Sequence, residues 1–251
     1  MIKEIVFEGP INNLSLGNVS LNLITSAYKR GLKVYYFPIG QTDIGNYNVS
    51  EDFKHWLQSS AQNCLKSYSR DMICVKNWHL AQSWHFPTDK RYLLTYHELD
   101  SCTSEEIQIV KNIDRVFFCG NYSPKVFADY SLSNLDTFNL GFDSDSFKKK
   151  DKVYFNDGRI QWFLGGKAEI TRKKTLQILS IWAKKYGKKQ GESYRVGEQQ
   201  HYLNLCITNP FYDIKIQEQQ ISQALDNQRY TNIQFFPFLN RESFNDLLNS
   251  S

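Results

Sequence analysis

Two hydrophobic periods alternate along this chain. Short apolar runs bounded by glycine, proline or polar clusters read as buried strands. Between them lie segments whose apolar residues recur every three or four positions, the signature of a helix with one buried face. Ile2 to Phe7 is the first run, closed by Gly9-Pro10, and INNLSLGNVS follows it as a polar loop containing Gly17. Val19 to Tyr28 has helical spacing and stops at Gly31, and Leu32 to Pro38 is again of strand type. This opening predicts a β-α-β unit, the start of a doubly wound parallel sheet. The alternation continues. Glu51 to Lys66 reads as a helix, Asp71 to Lys76 and Arg91 to Tyr96 as strands, and Ser104 to Ile113 as a helix capped by Thr103 or Ser104. Val116 to Cys119 then reads as a strand, Ser123 to Tyr130 as a helix and Asp136 to Leu140 as a strand.

A charged segment, Lys148 to Lys152, interrupts the pattern and reads as a link between domains, giving boundaries of 1–147 and 148–251. Beyond it the pattern restarts. Ile160 to Leu164 is an apolar strand that breaks at Gly165-Gly166. Leu176, Ile178, Leu179, Trp182 and Ala183 then fall on one face of a helix with Thr171 as its expected N-cap. Tyr202 to Thr208 is a strand ending at Asn209-Pro210, Ile214 to Asn227 is helical, Ile233 to Phe238 is a strand, and Ser243 starts a last helix. The expected fold is therefore α/β, with two Rossmann-like lobes built on parallel sheets and the C-terminal lobe short of strands.

Composition narrows the chemistry. The net charge of +4 over 251 residues suits an anionic small ligand or a weakly basic face and does not argue for nucleic acid. The five cysteines are scattered without metal-binding spacing, which predicts reduced thiols, no metal site and a cytoplasmic protein. No apolar run reaches membrane-spanning length. Chemistry concentrates at the restart. A strand, a glycine pair and a helix point backbone N–H groups and a helix dipole at one spot, and Lys167, Arg172, Lys173 and Lys174 surround that turn. An ordinary β-α turn with solvated lysines is the competing reading. In the first half, His79 and His97 follow the strands at Lys76 and Tyr96, at the carboxyl edge where α/β sheets hold their ligands, with His85 as a rival. A structural hydrogen bond is the competing role for each histidine, and Trp78 and Trp84 are expected to pack or to stack on a ligand.

Four stretches, in order, resemble the GT-B glycosyltransferases of the group 1 (family 4) type. They are Gly9-Pro10 through Ser15-Leu16-Gly17-Asn18, Tyr96-His97-Glu98 with Ile113-Asp114-Arg115-Val116-Phe117 and Ser123, Leu140 through Phe147, and Phe163 to Lys173. The last is similar to that family's donor-phosphate turn. The resemblance implies transfer of a sugar from a nucleotide-sugar donor to a carbohydrate, lipid or other acceptor, with retention. It implies no cofactor besides the donor substrate. Lys167 and Lys173 would hold the diphosphate with Gly165 and Gly166, Gly17 would be the loop glycine approaching the phosphates, and His79 or His97 would stand beside the reacting sugar. Peripheral contact with a membrane surface and the oligomeric state stay open. The sequence departs from the family in having Lys167 where arginine is commoner, and in lacking an E-x7-E pair after Glu242. The second departure keeps another reading alongside: a non-catalytic nucleotide- or sugar-binding module, or an inactive truncated homologue, on the same scaffold.

Overall fold

The computed structural model describes residues 2–209 and 211–251, so Pro210, expected at the end of a strand, lies outside the described residues. The chain divides into two compact units, Met1–Asp143 and Ser144–Ser251. Each is an α/β structure on a parallel sheet.

The first unit contains strands β1 (Glu4–Gly9), β2 (Lys33–Pro38), β3 (Ile73–Asn77), β4 (Lys90–Thr95), β5 (Arg115–Cys119) and β6 (Leu135–Phe138). Its helices are α1 (Ser15–Lys29), α2 (Glu51–Ser67), α3 (Ser104–Lys111) and the short α4 (Ser123–Val126). The strand order is β2-β1-β3-β4-β5-β6, with every neighbour parallel. The chain therefore leaves β1 in one direction and returns to its other side at β3. That reversal places a topological switch point between the carboxyl ends of β1 and β3, the position where open α/β sheets take ligands.

Alternation along the strands separates the two faces. Phe7 joins Ile11, Leu21, Ile24, Tyr36, Phe53 and Leu57 in one buried cluster, whereas its neighbour Val6 joins Tyr35, Cys64 and Cys74 in another. A third cluster gathers Leu93, Ile109, Val110, Val116, Phe118 and Phe127. The helix starts follow capping chemistry. Ser50 accepts from the Phe53 N–H, and Thr103 and Glu106 form a reciprocal capping box at α3.

The second unit carries β7 (Ile160–Gly166), α5 (Thr175–Tyr186), β8 (His201–Ile207), α6 (Ile214–Ala224), β9 (Ile233–Phe235) and α7 (Arg241–Ser250). Its sheet order is β7-β8-β9, again parallel. Leu176, Leu179, Trp182 and Ala183 of α5 pack on Leu203, Leu205 and Ile233. On the other face, Phe244 of α7 meets Phe163, with ring centroids 5.5 Å apart.

Several boundaries differ from the sequence expectation. α1 begins at Ser15, so most of the expected polar loop, Gly17 included, is helical; the Asn12 side chain accepts from the Leu14 N–H and turns the chain into the helix early. β7 runs through the glycine pair to Gly166, paired with Ile207, so the turn starts one residue later than the glycines suggest. Thr171 does not cap α5. Lys174 occupies the cap position at φ 57° with no side-chain bond, and the helix starts at Thr175. The segment from Ser123 is only one α-turn and a 3-10 turn at Ala128–Tyr130. β9 ends at Phe235, two residues before Pro237, which has no N–H to extend a ladder. The charged stretch at Lys148 docks on α7: its carbonyl accepts from the side-chain amides of Asn245 and Asn249, and Lys150 pairs with Asp246 at 2.7 Å.

Candidate functional site

At the carboxyl edge of the second sheet, parallel pairing of Gly166 with Ile207 sets two turns side by side: Lys167–Lys174 after β7 and Thr208–Asp213 after β8. Gly166 lies at φ 126°, a conformation open to glycine. A Cβ built there would lie 3.8 Å from Cδ of Lys173, so the lysine stem passes beside the glycine. Gly165 is constrained differently, because a Cβ there would meet the Phe163 ring at 2.6 Å.

The first turn is internally braced. The Thr175 hydroxyl donates to the Lys167 carbonyl at 2.5 Å and accepts from the Glu169 N–H at 3.0 Å. The Glu169 carboxylate accepts from the Lys173 N–H at 2.7 Å, fixing the backbone that carries that lysine. The Lys167 ammonium stands 4.2 Å from the centroid of Phe211, an exposed ring on the neighbouring turn. Asn209 ties the two turns together through its amide to the Ala168 carbonyl, and Gln217 of α6 bonds both Asn209 and the Tyr212 carbonyl. The result is a braced turn that carries two lysines ahead of a helix start without a side-chain cap, an arrangement able to hold an anion.

In the first unit the predicted residues separate. His79 lies two residues past the end of β3 and is exposed at the switch point, with its ring 5.3 Å from Trp78; its carbonyl accepts from Ser83. His97 is buried. Its ring sits edge-on to Phe127 at 5.2 Å, neither ring nitrogen has a hydrogen-bond partner, and Nε2 lies 3.6 Å from the Glu106 carboxylate. The imidazole is thus held in the interior between Phe118, Phe127 and the capping carboxylate of Glu106. His85 is exposed, and its carbonyl accepts from Lys76. Gly17 is buried in α1, and a Cβ there would come within 2.4 Å of the backbone of Asn12. The loop that precedes α1 packs directly against this glycine. Thus Gly165, Gly166, Lys167 and Lys173 are brought together, whereas His79, His97 and Gly17 occupy three different environments.

Beside the switch point, at the ends of β1 and β3, lies an ion pair that the sequence reading passed over. Lys76 bonds Glu8 at 3.1 Å and the His85 carbonyl at 2.8 Å. Burial pushes the Glu8 carboxyl above the usual carboxylate value, and Lys76 opposes the shift. Asn77 is fully buried, donating to Leu16 and Ser20 and leaving Oδ1 unpartnered. Also unforeseen were Thr175, Asn209 and Phe211. Thr175 acts on the Lys167 turn from the first residue of α5, whereas Asn209 and Phe211 reach it through the adjacency of β7 and β8. Among the described residues no group of three His, Cys, Asp or Glu could hold a metal, and no helix is long and apolar enough to cross a membrane.

No family model matches the chain, and no curated protein matches it. A solved structure, MurG of Acinetobacter baumannii, is similar at a TM-score of 0.38 and 12% identity over 94% of this chain. The match covers 66% of that protein, so the chain spans just under two thirds of its length.

Proposed function

We propose that the turn from Gly165 to Lys173 holds the diphosphate of a nucleotide-sugar donor, and that the chain is a retaining glycosyltransferase of the group 1 kind acting on a carbohydrate, lipid or other acceptor. The observation that carries this reading is the position of the Lys173 stem beside the left-handed Gly166, with Lys167 leaving the same turn. Loss of a nucleoside diphosphate from a sugar puts negative charge on the leaving phosphate. In this reading the ammonium groups of Lys167 and Lys173 and the start of α5 stabilise that charge where it forms, which is electrostatic catalysis. His79, exposed at the end of β3, is the residue left to stand near the reacting sugar. Domains 1–147 and 148–251 take the acceptor and donor sides in this reading.

A non-catalytic nucleotide- or sugar-binding module is the second reading, favoured by the burial of His97, one of the two histidines offered for the place beside the reacting sugar.

Calorimetry with UDP and GDP tests the donor site. A charge-assisted contact contributes roughly 1.5–3 kcal/mol, so Lys167→Ala and Lys173→Ala should each weaken binding by about tenfold or more. Lys174→Ala, whose side chain is displaced by the left-handed backbone at that residue, should change little. Equal small losses in all three would mean diffuse surface charge, and no binding by the wild type would remove the site. Release of nucleoside diphosphate from a nucleotide sugar, abolished by His79→Ala with affinity retained, separates the enzyme from the module.

A further inference from the structure

The loop that leaves β3 at the carboxyl edge of the first sheet presents two tryptophans. Trp84 is 43% exposed and Trp78 is half-buried. Neither indole has its polar edge free. The Trp78 Nε1–H donates to Gln82 Oε1 at 3.1 Å, and the Trp84 Nε1–H donates to Glu105 Oε1 at 3.0 Å, in the first turn of α3. What each ring offers to a ligand is therefore hydrocarbon surface.

Each tether also leaves polar atoms beside its ring. Gln82 spends its side-chain oxygen on an indole and keeps both amide N–H groups as donors. Glu105 spends one carboxylate oxygen and keeps the other as an acceptor. Both side chains belong to exposed residues, and neither makes another hydrogen bond among the described residues. The loop itself is held from beneath. Lys76 donates to the His85 carbonyl at 2.8 Å, the Ser83 hydroxyl to the His79 carbonyl at 2.8 Å, and the Trp78 N–H to the Leu94 carbonyl at 3.2 Å. A ligand meeting this loop finds it already ordered, which lowers the entropy cost of binding. Residues 77–88 contain no Lys, Arg, Asp or Glu, and the charge tethered to Trp84 is a carboxylate. The surface has no cation with which to attract an anion.

We infer that Trp78 and Trp84 form a platform for uncharged sugar units. A pyranose ring carries C–H groups on one face and hydroxyls around its rim. The face lies on an indole, while the rim hydroxyls accept from the Gln82 amide and donate to Glu105. A lipid tail would leave those polar groups unused, and a phosphate or carboxylate would be repelled by Glu105. The His79 ring, 5.3 Å from Trp78, stands beside the platform. On the reading of the chain as a sugar transferase, the acceptor is thereby a neutral carbohydrate; that role rests on the transferase reading, whereas the sugar site does not.

The test is nuclear magnetic resonance of the indole N–H signals in the whole chain. Of the five tryptophans, Trp56, Trp162 and Trp182 serve as references. The probes are maltotriose, cellotriose, mannotriose and tri-N-acetylchitotriose, with sialyllactose as an anionic sugar and phosphatidylcholine bicelles as a lipid. The expected result is that a neutral trisaccharide shifts the Trp78 and Trp84 signals and leaves the references in place. Trp84→Ala should weaken that binding by roughly three- to tenfold with unchanged far-UV circular dichroism, and Trp84→Tyr should keep most of it. No shift with any neutral trisaccharide overturns the inference. So do equal shifts in the references, a response to bicelles alone, and a preference for sialyllactose. Trisaccharide binding without UDP or GDP binding supports the platform and removes only the donor site. Nucleotide binding without a trisaccharide response removes the platform and leaves the donor site.

Discussion

Lys76 is 4% exposed and holds two partners, the Glu8 carboxylate on β1 and the His85 carbonyl in the loop that carries Trp78 and His79. It therefore pins that loop to the sheet from below. Replacing one member of a buried pair strands the other charge, so Lys76→Met should cost about 3–5 kcal/mol in urea unfolding, while Glu8→Leu with Lys76→Met should recover most of the loss. A double variant no more stable than Lys76→Met would show that the pair is not the source. The pH dependence follows from the direction of the Glu8 shift. Burial raises its folded-state pKa above the ordinary 4.5, so its contribution is fully present below that value and is lost as pH rises through the raised one. Removing Lys76 takes away the opposing attraction, and the loss of stability with rising pH should extend to higher pH in Lys76→Met.

At the level of elements, Gly17 shows how a neighbour can reverse a local preference. Alanine is the better helix former by about 1 kcal/mol, and Gly17 lies within α1. A methyl there meets the Asn12 backbone at 2.4 Å, and overpacking of this kind costs about 1–3 kcal/mol. Gly17→Ala should therefore lower the urea midpoint; a raised midpoint would mean that the loop gives way freely. The same distinction explains what could be read in advance. Strands and helices were legible because β1, β7 and α5 carry their periods in consecutive residues. The start of α5 was not, because the device that sets it is a Thr175 hydroxyl bonded to a carbonyl eight residues earlier, while Thr171 matches the local pattern without making the cap. That Lys167 and Lys173 share one turn was legible from their place after a glycine pair. The burial of His97 was hidden, since the rings around it come from β5 and from the segment after α4.

At the scale of the molecule, the buried clusters fall within one unit or the other: three in the first and one in the second. Separate cores predict that calorimetric unfolding is not two-state, with a measured enthalpy larger than the van't Hoff value. A single transition with equal enthalpies would show that the two cores melt as one. The strand order has a further consequence, for the chain as it is made. Val6 pairs with Tyr35 on one side and with Cys74 on the other. The first partner arrives with β2, but the second must wait for the segment between Pro38 and Asn77. At roughly 5–20 residues per second, translation takes about 2–8 s to supply those residues. For those seconds β1, which the finished sheet pairs on both sides, is an edge, open to any extended chain nearby, until β3 leaves the ribosome and closes it.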